Sequence, residues 1–286
     1  MKMFKIHIAS HHGFCSGVRR AITMTEQALS GIKKVYLLHE LVHNEAVSAQ
    51  LTAKGAVIVD DVSDVPDGAV VVTSAHGIPA AVESEIKRRN LQWVDATCPI
   101  VRCIHTSSDA VENGTLVILV GRSGHPETTG TLGRHPGKIF LVETADDVEK
   151  LPERKGDQEV MVLTQTTLSA AELAAPMAAL RKKYGQYSGG DCRCYATAER
   201  QDAVKKLAGT CDCILIVGSL RSSNSCRLRE VAETAGVKAV LVDDPDNFDT
   251  GIISGCRVVG VSSGASVPAR QLDRLIDILE KAGGCR

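Results

Sequence analysis

The chain has 286 residues, of which 44% are hydrophobic, so it is long and apolar enough to bury a substantial core. A formal charge of −1 and an aromatic content of 3% argue against a nucleic-acid partner, which needs a basic surface or stacking side chains. No apolar run approaches the roughly 18 residues of a membrane span, and the first residues lack the apolar core of a signal peptide. We therefore expect a cytoplasmic protein with no membrane partner.

One order of elements occurs three times along the chain, and a cysteine stands before a helix in each occurrence. The strands are short, continuous runs rich in Val and Ile that alternate with helical patterns, which is typical of parallel sheets covered on both faces. The sequence thus predicts an α/β fold of three similar parallel-sheet units with pseudo-threefold organisation, divided as residues 1–96, 97–190 and 191–286.

The predicted elements follow in chain order. The first unit has strands over residues 4–9, 34–38, 56–59 and 69–73 and helices over 18–29, 45–54 and 80–89. The second has a helix from Cys98 to about 112, strands over 116–120, 139–142 and 160–163, a polar glycine-rich segment, an acidic segment over 143–149 and a helix over 168–183. The third has a helix from Cys194 to 207, strands over 213–217, 239–242 and 257–261, and helices over 224–235 and 268–281.

Three cysteines stand at predicted helix starts. Cys15 lies between glycines after the first strand, Cys98 follows Thr97, a predicted N-cap, and Cys194 opens the first helix of the third unit. Unpaired N–H groups and a partial positive charge at a helix start favour the thiolate, which binds metal or attacks an electrophile. Three thiolates leave a tetrahedral metal or an iron–sulfur cube one vertex short, whereas a closed zinc site needs a fourth ligand and usually CxxC pairs, which are absent.

The other cysteines have simpler interpretations. Cys213 and Cys256 adjoin predicted buried strands, so packing explains them better than metal binding. Cys192 is the closest rival of Cys194, and we favour Cys194 because it directly adjoins the helix start.

Polar residues follow the predicted strands of all three units, where ligands of parallel sheets bind. The segments are His39–Asn44, Ser74–Gly77, Gly121–Glu127, Thr164–Thr167, Gly218–Ser225 and Ser262–Ser266. Taken singly, a serine or asparagine before a helix is more often an N-cap, and a loop histidine is more often a surface residue. Together these segments predict a polar cavity suited to an anion with many oxygens, such as a phosphate or diphosphate.

Glu127 lies two residues after His125, with a proline between them. In such a cavity its carboxyl group could carry a proton to a substrate. It could equally be an acidic residue of a first helical turn, stabilised by the helix dipole.

The segments GFCSGV, HELVHN, SAHG, DATCP, GHPE, TQTTLS, CYAT, SSNS and GAS occur in this order over nearly the whole chain. With them the chain resembles the 4-hydroxy-3-methylbut-2-enyl diphosphate reductase family, which catalyses the last step of the methylerythritol phosphate route to isoprenoids. The resemblance implies a cytoplasmic trefoil of three α/β units around an oxygen-sensitive 4Fe-4S cluster. It also implies a two-electron reductive dehydroxylation of an allylic diphosphate to isopentenyl and dimethylallyl diphosphates, with ferredoxin or flavodoxin as electron donor.

The resemblance further implies a role for each matching residue. Cys15, Cys98 and Cys194 match the cluster ligands, and the fourth iron of the cluster faces the substrate. The residues implied to bind the diphosphate and the allylic hydroxyl are His43, His76, His125, Thr166, Ser222, Ser223, Asn224 and Ser266. Glu127, together with Thr166, is implied to supply protons that let the hydroxyl leave as water.

Two features depart from the family pattern: His11–His12 precede Gly13, and Cys192 adds a thiol beside Cys194. Two other functions are compatible with the residues alone. One is a hydro-lyase that uses an open cluster iron without net electron transfer, and the other is an iron–sulfur sensor module without catalytic activity.

Overall fold

The computed structural model describes residues 3–31 and 34–286. The strands are β1 (Phe4–Ile8), β2 (Val35–Leu38), β3 (Ala56–Val59), β4 (Val70–Thr73), β5 (Gln92–Asp95), β6 (Leu116–Val120), β7 (Ile139–Val142), β8 (Val160–Thr164), β9 (Ser188–Gly189), β10 (Cys213–Val217), β11 (Lys238–Val242), β12 (Val258–Ser263) and β13 (Gly284–Cys285). The helices are α1 (Ser16–Gly31), α2 (Glu45–Ala53), α3 (Ala80–Arg88), α4 (Pro99–Asp109), α5 (Pro126–Leu132), α6 (Ala145–Glu149), α7 (Ala170–Tyr184), α8 (Tyr195–Ala208), α9 (Ser223–Thr234) and α10 (Ala269–Lys281). Short 3₁₀ helices occupy Val62–Asp64, Pro245–Asn247 and Thr250–Ile253.

The strands form three parallel sheets. The first sheet has the order β3-β2-β4-β5, the second has the order β7-β6-β8-β9, and the third has the order β11-β10-β12-β1-β13. The three orders are equivalent, apart from the additional short strand β13 at one edge of the third sheet. The three parallel-sheet α/β units predicted from the sequence are therefore confirmed.

The fourth strand of each sheet leads into a helix that a candidate cysteine precedes. β5 leads to α4, β9 leads to α8, and β1 leads to α1. β1 pairs with β12, with Lys5 opposite Val258 and Ile8 opposite Val261, so the first strand of the chain completes the third sheet. The sequence places this strand beside the first unit, because a parallel pairing across some 250 residues leaves no local signal. The domain ranges 1–96, 97–190 and 191–286 follow chain order and stay a prediction.

Local patterns placed most elements correctly, and β3, β6, β7 and β10 have the predicted bounds. The continuous apolar runs of β6 and β10 suit strands that are buried on both faces, and both strands are buried throughout. β3 and β7 are edge strands, in which Ile58 and Phe140 are exposed. Two short helices were missed, α5 in the glycine-rich segment and α6 in the acidic segment. Both are too short to show a helical period, and capping residues define them: His125 precedes α5, and a Thr144–Asp147 capping box opens α6.

The internal contacts divide the chain into two compact bodies. The first body comprises Met1–Arg19, Val42–Val47 and Tyr195–Arg286 and contains the third sheet. The second body comprises Arg20–Leu41 and Ser48–Cys194 and contains the first and second sheets. Within the described ranges, no helix is both long and apolar enough to cross a bilayer.

Candidate functional site

Each of the three candidate cysteines occupies the position immediately before a helix. Cys15 precedes α1, Cys98 is the N-cap residue of α4, and Cys194 precedes α8. The sequence-based prediction of Thr97 as the N-cap is wrong, because Thr97 lies one residue further out and its amide donates to Asp95 Oδ1 at 3.0 Å. The three cysteines therefore lie at the N-terminal ends of helices, where main-chain N–H groups have no partner within the helix.

One hydrogen bond recurs at all three cysteines. The backbone N–H of Cys15 donates to the carbonyl oxygen of Ala265 (3.1 Å), that of Cys98 to Ala75 (3.0 Å), and that of Cys194 to Thr166 (2.9 Å). The acceptors lie two residues beyond the ends of β12, β4 and β8, respectively. Each bond thus continues the parallel ladder past the end of the strand pair that leads to the cysteine. The three thiols therefore occupy equivalent positions, each directly before a helix as predicted from the sequence.

The structure distinguishes Cys194 from Cys192. The Cys192 thiol packs against the core of the second sheet and donates to the Gly190 carbonyl at 3.3 Å, and its amide donates to Thr164 Oγ1 at 2.8 Å. Burial raises the pKa of the Cys192 thiol, so it holds its proton more firmly than a free thiol. Only Cys194 makes the amide bond shared with Cys15 and Cys98, which favours Cys194 as the equivalent residue.

Three other cysteines are poor ligands because they are protonated and packed. Burial raises the pKa of Cys213 to about 11, and it also raises the pKa of the Cys211 and Cys256 thiols. Cys213 belongs to the core of the third sheet, and Cys256 packs against that core. The packing interpretation of Cys213 and Cys256 therefore agrees with their surroundings.

By contrast, the Cys15 sulfur lies within reach of the α1 amides. The N–H of Val18 points to Cys15 Sγ at a distance of 3.4 Å. This contact places the Cys15 sulfur at the N-terminal end of α1, the position that the sequence predicts for a metal ligand.

In the second body, the loops after β4 and β6 bring two histidines together. The rings of His76 and His125 are edge-to-face, with centroids 5.8 Å apart. The loops approach closely because they meet at glycines: a Cβ on Gly130 would lie 3.3 Å from the Gly77 carbonyl carbon. Polar loops of two different sheets thus meet within one compact body, whereas the predicted convergence of all six polar segments stays a prediction.

Gly77 has a second role, because it accommodates His105 of α4. Its φ is +80°, and a Cβ there would lie 2.4 Å from His105 Cε1, so only glycine fits. Burial and the neighbouring positive charge of Arg134 lower the pKa of His105 to about 4, so its ring is neutral and acts as packing. The sequence gives no signal for His105 other than its place on an apolar helix face.

His125 is the N-cap residue of α5 and accepts the Glu127 N–H at Nδ1, over 3.2 Å. A nitrogen that accepts a hydrogen bond carries no proton, so Nε2 is the ring nitrogen that can donate. The ring therefore presents a donor that suits a phosphate or hydroxyl oxygen.

Glu127 and Thr166 form a buried pair. Only 3% of the Glu127 surface is exposed, and its carboxylate accepts the Thr166 N–H at 2.7 Å and the Thr166 hydroxyl at 2.8 Å. Burial raises the pKa of Glu127 to about 7, although the two bonds from Thr166 oppose the rise. A carboxyl group with such a pKa can both hold and release a proton near neutral pH.

Thr166 also connects this carboxyl group to a candidate ligand. Its carbonyl accepts the Cys194 N–H, while its amide and hydroxyl donate to Glu127. The two interpretations of Glu127 are compatible, because the residue lies in the first turn of α5 and its carboxyl group still points to Thr166.

Gln165, next to Thr166, is a buried residue whose side chain makes hydrogen bonds to two loops, and the sequence did not identify it as a site residue. Its Oε1 accepts the Arg122 amide at 2.9 Å and the Thr128 hydroxyl at 3.3 Å, and its Nε2 donates to Thr167 at 2.9 Å. The amide thus joins the loop after β6 to the loop after β8. Its position inside the TQTT segment was the available signal.

In the first body, the serine-rich segment after β10 forms a buried network. Ser222 caps α9 by accepting the Ser225 N–H, and the Ser225 hydroxyl donates to Ser222 Oγ at 3.0 Å. A Cβ on Gly218 or Gly264 would lie about 2 Å from Ser225 Oγ, so the loops after β10 and β12 close tightly over this serine. Because Ser222 accepts two bonds, its own hydroxyl proton is available to a ligand.

Asn224 is the strongest sign of a ligand in this segment. Its side chain is 6% exposed, and neither its Oδ1 nor its Nδ2 has a hydrogen-bond partner within the described residues. Leaving a buried amide unpaired costs roughly 1–3 kcal/mol, which a bound polar group can recover. Ser223 adjoins it on α9, and Ser266 donates from the loop after β12 to the His43 carbonyl at 3.4 Å.

Comparison with known proteins gives consistent matches over the whole chain. Residues 6–280 match the family model described as LytB protein. The chain is 43% identical to the 4-hydroxy-3-methylbut-2-enyl diphosphate reductase of Haemophilus influenzae (strain PittEE), over 98% of this chain and 91% of that protein. The solved E-1-hydroxy-2-methyl-but-2-enyl-4-diphosphate reductase of Plasmodium falciparum matches with a TM-score of 0.92 and 32% identity, over 97% of this chain and 88% of that one. A second solved structure, described as (E)-4-hydroxy-3-methyl-but-2-enyl diphosphate reductase, the terminal enzyme of the non-mevalonate pathway, matches with a TM-score of 0.70 and 30% identity, over 98% and 100% of the two chains.

Glu127→Gln should flatten the dependence of stability on pH. Folding raises the pKa of Glu127 from its ordinary value of 4.5 to about 7. The contribution of the protonated carboxyl group to the free energy of unfolding is therefore complete below pH 4.5 and is lost as the pH rises through about 7. Between pH 5 and 8 the free energy of unfolding of the wild type should fall by about 2–3 kcal/mol relative to that of Glu127→Gln, as measured by urea unfolding. Glu149→Gln, which removes an exposed carboxylate, is the control for a change of net charge. Parallel stability curves for wild type and Glu127→Gln would contradict the shift.

Asn224→Ala should change the free energy of unfolding of the ligand-free protein by less than about 1 kcal/mol, because removal of the side-chain amide breaks no hydrogen bond. Asn44→Ala is the matched control in the same body. Asn44 is equally buried, but its amide donates to Gln271 at 2.9 Å and accepts the Val47 N–H at 3.0 Å, so its loss should cost about 1–3 kcal/mol. Equal losses in the two variants would show that the Asn224 amide is paired.

Proposed function

The chain belongs to the LytB protein family, and on that basis we propose that it is a 4-hydroxy-3-methylbut-2-enyl diphosphate reductase. It converts this allylic diphosphate to isopentenyl and dimethylallyl diphosphates by a two-electron reduction that removes the hydroxyl group as water. The observation that carries the proposal is the connection Glu127–Thr166–Cys194, which joins a buried acid to the segment of a candidate ligand thiol. Reductive removal of a hydroxyl needs both a proton source and an electron source.

Cys15, Cys98 and Cys194 are the residues that would hold a 4Fe-4S cluster. The donor set fits the group, because all three are cysteines outside any disulfide that stand at helix starts and make the same amide bond. Among the side chains that the structure describes, no three His, Cys, Asp or Glu residues lie close enough together to hold a single metal ion. A 4Fe-4S cluster has a different requirement, because each thiolate would bind a different iron. When bound by three cysteines, such a cluster supplies electrons singly and retains one iron without a protein ligand.

The diphosphate and the allylic hydroxyl are bound by hydrogen-bonding side chains of the polar segments that follow the strands. The proposed contacts are His43, His76, His125, Thr166, Ser222, Ser223, Asn224 and Ser266. Three observations support them: the Nε2 donor of His125, the available proton of Ser222 and the unpaired amide of Asn224. These groups bind the anion by directed hydrogen bonds and thereby fix the position of the reacting carbon.

Proton delivery is assigned to Glu127 through Thr166. With its pKa near 7, Glu127 carries a proton in a substantial fraction of molecules at neutral pH. Thr166 Oγ1 lies 2.8 Å from Glu127 Oε2, so the Thr166 hydroxyl can give its own proton to the substrate and take the proton of the Glu127 carboxyl group in its place, which leaves Glu127 as a carboxylate. Burial of the pair keeps bulk water from competing for the proton.

A ferredoxin or flavodoxin is the proposed electron donor, because the reaction consumes electrons that these carriers deliver one at a time. The direct test is anaerobic turnover of the reconstituted protein with reduced ferredoxin or dithionite, with both products measured. Turnover that proceeds without reductant would indicate a hydro-lyase. Absence of diphosphate binding in anaerobic calorimetry would favour a sensor module instead.

Cys194→Ser should lose cluster iron and activity, whereas Cys192→Ser should retain both, because Cys192 is a packed, protonated thiol. Iron analysis and Mössbauer spectra of anaerobically reconstituted protein measure the difference. Cys98→Ser should behave like Cys194→Ser, and Cys103→Ser, which changes an exposed cysteine of the same helix, is its control. Loss of iron in Cys192→Ser with retention in Cys194→Ser would reverse the assignment.

Glu127→Gln should keep the cluster and bind substrate but slow reduction by roughly 10²–10⁴-fold, since it removes the proton and little else. Thr166→Val should slow reduction similarly, because it removes the hydroxyl and keeps the amide bond to Glu127. Thr166→Ser keeps the hydroxyl and is the matched control. The measurements are single-turnover rates and calorimetric affinities, and an unchanged rate in Glu127→Gln would eliminate its role as proton donor.

A further inference from the structure

Arg200 of α8 joins two parts of the first body that are far apart in sequence. Its side chain is buried, with 5% of its surface exposed. One guanidinium nitrogen donates to the Ala196 carbonyl and the other donates to the Gly13 carbonyl, each at 2.7 Å. Gly13 stands two residues before Cys15, and Ala196 stands two residues after Cys194. The guanidinium therefore bonds the main chain beside two proposed ligands.

The segment from Gly13 to Cys15 is held at three points, and Arg200 provides one of them. The Gly13 N–H donates to Ser263 Oγ at 2.7 Å, the Gly13 carbonyl accepts from Arg200, and the Cys15 N–H donates to the Ala265 carbonyl at 3.1 Å. Gly13 has a φ of +70°, a left-handed conformation that glycine adopts readily. β12 and the loop after it supply the acceptors for the Gly13 and Cys15 N–H groups, so these two bonds remain when Arg200 is replaced. The Gly13 carbonyl then loses the hydrogen bond that it accepts from Arg200.

Arg200 also places a permanent positive charge at this segment. An arginine side chain stays protonated at any accessible pH, and burying its charge is costly unless strong hydrogen bonds compensate. The charge of Arg200 acts on the residues before Cys15. The pKa of His12 is lowered mainly by burial and, as the second cause, by the positive charge of Arg200. A charge in this place stabilises added negative charge nearby.

We infer that Arg200 is a positioning residue for Cys15 and a fixed cation that favours the reduced form of the cluster which Cys15 helps to bind. The inference rests on the proposed function for its second part only. Three thiolates make the cluster site anionic, and reduction adds one more negative charge, so a buried cation raises the reduction potential. The first part, the order of the Cys15 segment, concerns the protein without its cluster.

Hydrogen exchange of the apoprotein tests the first part. Arg200→Gln should accelerate exchange of the Cys15 amide about 10–100-fold, the equivalent of a lost hydrogen bond to a charged group. The Cys98 amide makes the same bond in the second body and should not change. Arg89→Gln is the control variant, because Arg89 also donates to two main-chain carbonyls, those of Val62 and Val65. Unchanged exchange at Cys15, or equal acceleration at Cys15 and Cys98, would overturn the positioning role.

The reduction potential of the reconstituted protein, followed by electron paramagnetic resonance, tests the second part. Arg200→Lys keeps the charge and should keep the wild-type potential, whereas Arg200→Gln should lower it. An unchanged potential in Arg200→Gln, or an equal fall in Arg200→Lys, would overturn the electrostatic role. If Arg200→Gln does not fold, Arg200→Lys still tests positioning, since a single ammonium cannot reproduce both bonds and Cys15 exchange should accelerate. Failure of the wild type to bind a cluster would refute the proposed function and leave the exchange result standing.

Discussion

A hydrogen bond between the amide of a cysteine and the carbonyl beyond a neighbouring strand determines where each candidate thiol lies. In a parallel sheet the strand that enters a helix runs beside a strand of the same direction, so their ends coincide. The helix that follows then begins at the carboxyl edge, with its free N–H groups directed to the place where ligands of such sheets bind. Cys15, Cys98 and Cys194 occupy this position three times with nearly the same bond length. The equivalence of the three positions follows from sheet topology, since the three surrounding segments share little sequence.

Around that framework, the chemistry of the site is set by competition between burial and hydrogen bonding. Glu127 is surrounded by protein, which penalises its charged form, while two donors from Thr166 stabilise the same form. Burial is the larger effect, and the resulting pKa of about 7 suits proton transfer. Since the carbonyl of Thr166 also fixes the Cys194 amide, one residue aligns the acid with the thiol segment.

The polar segments after β10 and β12 bury polar side chains, and an unpaired one among them lowers the stability of the folded protein. Ser225 is fully buried and satisfied by Ser222, and glycines at positions 218 and 264 leave it just enough room. Asn224, one residue away, is buried with both amide atoms unpaired in the described protein. A fold optimised for stability alone would replace that amide with an apolar group. The presence of this unpaired amide agrees with a ligand that completes the network.

The sequence by itself determined the elements and the residue types. Continuous apolar runs predicted β3, β6, β7 and β10 with their observed bounds, because an apolar run is a local pattern of the sequence. Helix-start signals identified Cys15, Cys98 and Cys194 in the same way. Tertiary structure alone decided that β1 completes the third sheet, that Cys192 is a packed thiol beside Cys194, and that the Glu127 carboxyl group is buried against Thr166. Strand pairing and desolvation depend on residues far apart in the chain, such as Lys5 and Val258, so no local pattern contains them.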